Sequence, residues 1–225
     1  MVVSLDYSDA VEVNYAAHGQ NDRVLIVQAD IYRMPFRPQT FDRVFCFGVL
    51  QHTPDPSLAF AQLPVSLKPG GAVAIDVYLK YTGIKGLLDT KYWARPFTRR
   101  IPPQILYPIV SGYVRVMWPL VSLLGQIPRI GIRISRKLLI ADHRDIFALS
   151  EDQLREWAIL DTFDTLSPAY DYPQRPETVE RWFQDAGLGR PGVVVEHALV
   201  VARTPPVRSA SGLGIHRLGS AQVGP

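Results

Sequence analysis

Short apolar runs alternate with amphipathic stretches along the first eighty residues of the chain. The runs at Val2 to Leu5, Val24 to Gln28, Asp42 to Phe47 and Gly71 to Tyr78 have strand length and are rich in β-branched and aromatic side chains, which predicts four strands. Helices are predicted between them, one from an N-cap at Ser8 through Asn14 and one from Asp55 or Ser57 through Leu67. The "LKPGG" of Leu67 to Gly71 reads as a helix stop, its glycines permitting the positive φ of a tight return into the next strand. Strand, helix and strand in this rhythm predict βαβ units on a parallel sheet.

From about residue 81 to 150 the rhythm breaks. Ile105 to Leu124 is twenty mostly apolar residues, long enough to cross a bilayer, but Pro108, Pro119, Gly112 and Arg115 interrupt it. With Tyr107, Tyr113 and Trp118, the stretch suits an interfacial helix pair or a helical cap packed on the sheet. Beyond Ser150, a predicted N-cap, "LSEDQLREW" is helical, and Leu160 to Gln174 reads as a loop because of its prolines and Asp, Ser and Thr content. A helix over Pro176 to Ala186 follows, and "GVVVEHALVVART" supplies one long or two short strands. The division is a core over 1–80, a helical insertion over 81–150, the rest of the core over 151–204 and a disordered tail over 205–225.

Charge sharpens that division. The chain of 225 residues has a net charge of +3, yet Thr90 to Ala141 contains no Asp or Glu and nine Lys or Arg, leaving fifteen basic against twenty-one acidic residues elsewhere. Residues 95–137 are therefore a candidate for peripheral membrane contact, while the long aliphatic runs between the basic residues argue against a nucleic-acid partner. The lone cysteine, Cys46, excludes an intrachain disulfide and suits a buried structural thiol. Acidic residues Asp6, Asp9 and Glu12 break any signal-peptide pattern, so the expected location is the cytoplasm, peripheral to the membrane if the basic segment docks there.

Two acids end successive predicted strands, Asp6 and Asp30. A carboxylate in that place accepts hydrogen bonds from vicinal ribose hydroxyls or from an exocyclic amine; it serves equally as a helix N-cap. The stretch "ADIYRMPFRPQTFDRVFCFGVLQHTPDPSLAFAQLPVSLKPGGAVAIDVY" resembles class I S-adenosylmethionine-dependent methyltransferases of the small-molecule and quinone type. The matching residues are Asp30 with Ile31, Met34 to Phe36, Phe41 with Asp42 and Val44, Leu50 to His52, and Leu67 to Gly71. "VVSLDYSDAVEVN" is similar to that family's second strand.

The resemblance implies a Rossmann-like doubly wound α/β sheet with a helical lid, and S-adenosylmethionine bound by Asp6, Tyr7, Asp30, Ile31, Phe47, Gly48 and Val49. It makes His52 a candidate catalytic base or cofactor-lining residue, and Asp161, Asp164, Tyr170 and Tyr172, with Asp171 beside them, candidates for the side facing the acceptor. His143 is a second possible base, and no Cys/His spacing suggests a metal. The expected reaction is methyl transfer to a small-molecule or lipid-linked acceptor. A non-catalytic membrane-surface or protein-interaction module on the same scaffold is the alternative, and a nicotinamide oxidoreductase would share Asp6 but not "MPF" or "LKPGG". The family's first strand and its "GxGxG" turn do not occur in the sequence. This N-terminally truncated pattern is expected to reflect a start that omits an upstream βα unit, or a decayed fragment.

Overall fold

A computed structural model describes residues 1–83, 89–127, 136–142, 144, 148–196 and 198–204; the expectations for His143 and for the tail from 205 lie outside them. Two βα units set the frame. β1 (Val2–Asp6) and β2 (Val24–Gln28) pair in parallel across α1 (Ala10–His18), in a register that sets Val2 beside Val24 and Asp6 beside Gln28. β3 (Phe41–Cys46) and β4 (Leu67–Tyr78) pair in parallel across α2 (Pro56–Val65). The Asp55 carboxylate caps α2 by accepting from the Ser57 and Leu58 amides, both at 3.0 Å, and Pro56 supplies a first-turn residue that needs no amide partner.

β5 (Gly192–Glu196) and β6 (Leu199–Arg203) form an antiparallel hairpin, and β6 also runs antiparallel to β4. The strands thus fall into two sheets, β1–β2 and β3-β4-β6-β5. β1 and β3 each end a sheet. The C-terminal apolar run resolves as two short strands turning at Ala198, φ 67°.

"LKPGG" departs from the expectation. It opens β4 instead of stopping α2: Leu67 pairs with Phe41, the register then slips between Phe41 and Arg43, and Gly70 takes φ +77°. A glycine of positive φ serves a bulge as readily as a helix C-cap, so the dipeptide alone cannot tell them apart.

Period two along β4 buries Val73, Ile75 and Val77 in one direction and turns Asp76 and Tyr78 in the other. The buried set joins Leu50, Phe60 and Leu63 from the α2 side and Val179 and Phe183 from α6 (Pro176–Asp185) in one core. Phe60 stacks between Trp182 and Phe183, with ring centroids 5.7 and 4.9 Å away.

A second core is mainly helical, built chiefly by α4 (Pro103–Gly125) and α5 (Glu151–Leu166), with Ile140 buried among them and Ala94 of α3 (Lys91–Thr98) packed against them. Leu106, Val110, Val114, Trp118 and Val121 of α4 pack with Leu154, Ala158 and Ile159 of α5. α4 runs 23 residues without a break at Pro108 and Pro119, one helix where a helix pair or a helical cap was expected; its buried stripe outweighs the backbone bonds two prolines remove. α5 begins in a capping box between Ser150 and Gln153 and continues to Leu166, which overturns the loop expected from Leu160. Burial of Ile159, Thr162 and Leu166 overrides the weak helix propensity of "DTFDT", and the chain leaves the helix only before Pro168. α5, assigned by sequence to the C-terminal core, shares its apolar face with α4.

Arg95 corrects another expectation. Counted among the surface cations of residues 95–137, it is buried, and its guanidinium donates to the carbonyls of Thr165 and Pro168, both at 2.8 Å. Thr98 Oγ1 donates to the Leu166 carbonyl at 2.9 Å. α3 thereby caps the C-terminus of α5, where carbonyls lack intrahelical partners and the helix dipole favours a cation.

Candidate active site

The cofactor candidates stand where strands end. Asp6 closes β1, and its Oδ1 accepts from the Ser8 amide and hydroxyl, both at 2.8 Å. Asp30 stands just past β2, its Oδ1 accepting from the Tyr32 amide at 2.9 Å. Asp30 therefore performs the capping role that sequence left open, at the turn Ile31–Arg33, whereas Asp6 closes a local turn onto Ser8 and leaves the N-cap of α1 to Asp9; each acid uses one oxygen, and among the described residues Oδ2 of each has no hydrogen-bond partner. Tyr7 is exposed, and Ile31 packs against the sheet core.

Past β3 the chain turns through Phe47, Gly48 and Val49, with both side chains nearly half-exposed. Gly48 has φ +71°, and a Cβ there would meet nothing within 4 Å, so the turn is open to solvent. Asp76 Oδ1 accepts from the Gly48 amide at 2.6 Å and fixes that turn. Burial raises the Asp76 pKa, and this bond partly offsets the rise.

The single helical turn Leu50–His52 follows. Gln51 is fully buried, and among the described residues neither of its amide atoms has a hydrogen-bond partner. His52 Nδ1 lies 3.0 Å from the Tyr170 carbonyl, and because a carbonyl only accepts, Nδ1 carries the hydrogen. In the neutral ring Nε2 is then the basic nitrogen; it is buried and has no partner among the described residues. The His52 ring meets Tyr78 edge-on, centroids 5.4 Å apart.

Helix α5 and the segment 167–174 approach this imidazole. Asp161 and Asp164 lie on α5, a turn apart. Burial raises the Asp164 pKa, while the nearby His52 pulls it down. The Tyr78 hydroxyl is pushed above the usual phenol range, first by burial and then by Asp164, Asp161, Asp171 and Asp76. Tyr170 and Tyr172 stand on the outer side, ring centroids 6.0 Å apart, while Asp171 between them turns inward to lie 3.2 Å from Lys91 Nζ and 3.5 Å from Arg95 Nε. The Lys91 ammonium also sits over the Tyr78 and Tyr92 rings, at 4.7 and 4.8 Å. The Tyr172 amide donates to the Gln51 carbonyl at 2.8 Å, tying the segment back to the His52 turn.

The structure thus brings His52, Asp161, Asp164, Tyr170 and Tyr172 together. Asp6 and Tyr7 belong to the other sheet, and no hydrogen bond or ion pair among the described residues joins them to His52. Asp76, Tyr78, Gln51 and Lys91 had no place in the expected site. Asp76 was detectable as a carboxylate inside the apolar run "AVAIDVY"; for Lys91 and Arg95 the sequence holds no such signal. No group of three or more His, Cys, Asp or Glu suited to a metal ion occurs among the described residues.

Residues 1–75 match the family model described as a methyltransferase domain, a span that contains both strand-end acids, the Gly48 turn and His52. Over that span the chain is similar to part of a methyltransferase domain. Its relatives include a tRNA U34 carboxymethyltransferase of Nautilia profundicola, 41% identical over 49 residues, 22% of this chain and 16% of that one. An uncharacterized protein of Synechococcus is 28% identical over 178 residues, 76% of this chain and 36% of its own. The chain therefore spans well under half the length of either relative. Among solved structures, the S-adenosylmethionine-dependent methyltransferase SibL in its apo form is 16% identical, with a TM-score of 0.44 over 90% of this chain and 42% of that one. The matched residues end within β4, at Ile75, so Asp76, Tyr78 and the helices beyond them lie outside the match.

Proposed function

We propose that this chain takes part in methyl transfer from S-adenosylmethionine to a small-molecule or lipid-linked acceptor, with His52 as the group that receives the acceptor's proton. One observation carries the reading: a buried imidazole nitrogen, made basic by the carbonyl on its other side, stands without a partner beside Asp164 and Tyr78.

The residues present fit the cofactor. Asp6 and Asp30 each keep one carboxylate oxygen for a ribose hydroxyl or an adenine amine, and Gly48 gives an open turn with no side chain in the way. S-adenosylmethionine, when bound, supplies a methyl group already activated by its sulfonium. What remains for the protein is alignment, exclusion of water and removal of one proton.

His52 Nε2 accepts the proton that an amine or hydroxyl loses as its new bond to carbon forms. The Tyr170 carbonyl keeps the ring in the competent tautomer, and Asp164 lies near it on α5. The 167–174 segment packs on the His52 ring through the Tyr170 carbonyl, and Nε2 is buried away from bulk water. The name of the Nautilia relative points to tRNA, but it rests on 49 aligned residues, and the aromatic, acid-rich surroundings of His52 suit a small acceptor better than a phosphate chain.

Calorimetric titration with S-adenosylmethionine tests the first half of the proposal. Binding weakened about tenfold by Asp30→Ala supports it, since one charge-assisted hydrogen bond contributes about 1.5–3 kcal/mol. Absence of binding refutes it. A panel of phenols and amines with radiolabelled donor tests the second: His52→Gln should leave donor binding intact and lower turnover at least about a hundredfold.

A further inference from the structure

The outward face of α4 is apolar. Ile105, Ile109, Tyr113, Val116, Leu120 and Leu123 recur at steps of three and four, which places them in one stripe along the helix, and all are exposed, Val116 at 78% and Leu123 at 60%. This stripe is separate from the one that α4 buries. Leu106, Val110, Val114 and Val121 face the helical core, and Trp118 Nε1 and Ser122 Oγ fasten that side to Glu151 at 3.1 and 2.9 Å. A soluble helix ordinarily carries charge on its second face; α4 carries Arg115 alone.

The surroundings say what covers the stripe. No Asp or Glu occurs from Thr90 to Ala141, a stretch with nine Lys or Arg. Arg99 and Arg100 are exposed immediately before α4, and Trp93 and Phe97 are exposed on α3. A second copy laid across the stripe would bring cations against cations with no carboxylate in the segment to neutralise them. A membrane-spanning placement would strip α4 of its packing on α5. An anionic lipid surface meets both demands, taking the apolar stripe into its acyl boundary and the arginines at its phosphates.

We propose that α4 lies in the plane of an anionic bilayer surface, docking the protein there through the Ile105 to Leu123 stripe with Arg99, Arg100 and Arg115 at the headgroups. This inference does not rest on methyl transfer, and its test needs neither cofactor nor acceptor.

Flotation of the full chain with vesicles of phosphatidylcholine alone, and of phosphatidylcholine mixed with phosphatidylglycerol, reads it directly. Binding is expected to the mixed vesicles and to fall as salt is raised. Val116→Glu with Leu123→Glu should cut partitioning about a hundredfold, since each apolar side chain brought into lipid contributes about tenfold. Arg99→Glu with Arg100→Glu should cut it at least about tenfold. Circular dichroism confirms that each variant is folded, which these exposed positions permit. Failure to float with anionic vesicles overturns the proposal, as does flotation unchanged in the Glu variants. Sedimentation velocity supplies the remaining outcome: a dimer abolished by the Val116 and Leu123 substitutions, without vesicle binding, would assign the stripe to a second copy and overturn it too.

Discussion

Replacing Arg95 with methionine keeps the side chain's length and removes its charge from a site where it is only 6% exposed. Two carbonyls, those of Thr165 and Pro168, lose donors at 2.8 Å, and Asp171 loses one of two cationic neighbours. Breaking a buried ion pair on one side costs roughly 3–5 kcal/mol. Lys91 stays 3.2 Å from Asp171 and holds part of that interaction, so the lower end, about 3 kcal/mol, is expected. For a chain of this size that is a fall of about 6–12 °C in Tm. Urea unfolding of Arg95→Met measures it, and the double variant with Asp171→Asn isolates the coupling. The pair should be less destabilised than the sum of its single changes by at least about 1 kcal/mol. A loss below about 1 kcal/mol for Arg95→Met, or strict additivity, would refute the view that α3 clamps the end of α5 and the 167–174 segment through this guanidinium.

Other substitutions probe the site from different sides. Gln51→Met replaces a fully buried, unpartnered amide with an apolar group of similar volume and should stabilise the protein by about 1–3 kcal/mol in urea unfolding; destabilisation would show that the amide is satisfied. Gly48→Ala should cost about 1–2 kcal/mol, a purely backbone penalty because the space beside Gly48 is open, and a neutral result would contradict the φ of +71°. Asp164 has a pKa raised by burial, so the folded state binds its proton more tightly than the unfolded state does. Its contribution to stability is therefore fully present at acid pH and is lost as pH rises through its folded pKa. Asp164→Asn should accordingly raise Tm at neutral pH and lose that advantage as pH falls below about 4; an advantage independent of pH would exclude titration as its source.

Much of the βα frame was legible because its strands are near-continuous runs of β-branched and apolar residues, and β2 emerged at Val24–Gln28 as expected although none of its residues is fully buried. The site was legible in part. Strand-end acids and His52 carry their chemistry in their residue types, so local sequence exposes them. Asp171, Lys91 and Arg95 act through one another across long sequence separations, and nothing local marks a lysine as lying over two tyrosine rings. The two misread segments failed for physical reasons. "DTFDT" remains helical because one face is buried against α4, a tertiary term absent from propensity, and "LKPGG" holds glycines whose conformational freedom suits a strand bulge as well as a helix end. The acid-free segment was visible as composition, but only the helix geometry separates the stripe of α4 that packs inward from the one that faces out.

The central claim is that these strand ends bind S-adenosylmethionine beside the His52 turn. Amide chemical-shift mapping of the nitrogen-15-labelled chain during titration with S-adenosylmethionine tests it most directly, because the method registers even weak binding. The expected result is saturable shifts at Asp6 to Ser8, Asp30, Ile31 and Phe47 to Val49, with the His52 side-chain nitrogens responding as well. A spectrum unmoved at those amides, or shifts confined to other parts of the chain, would contradict it.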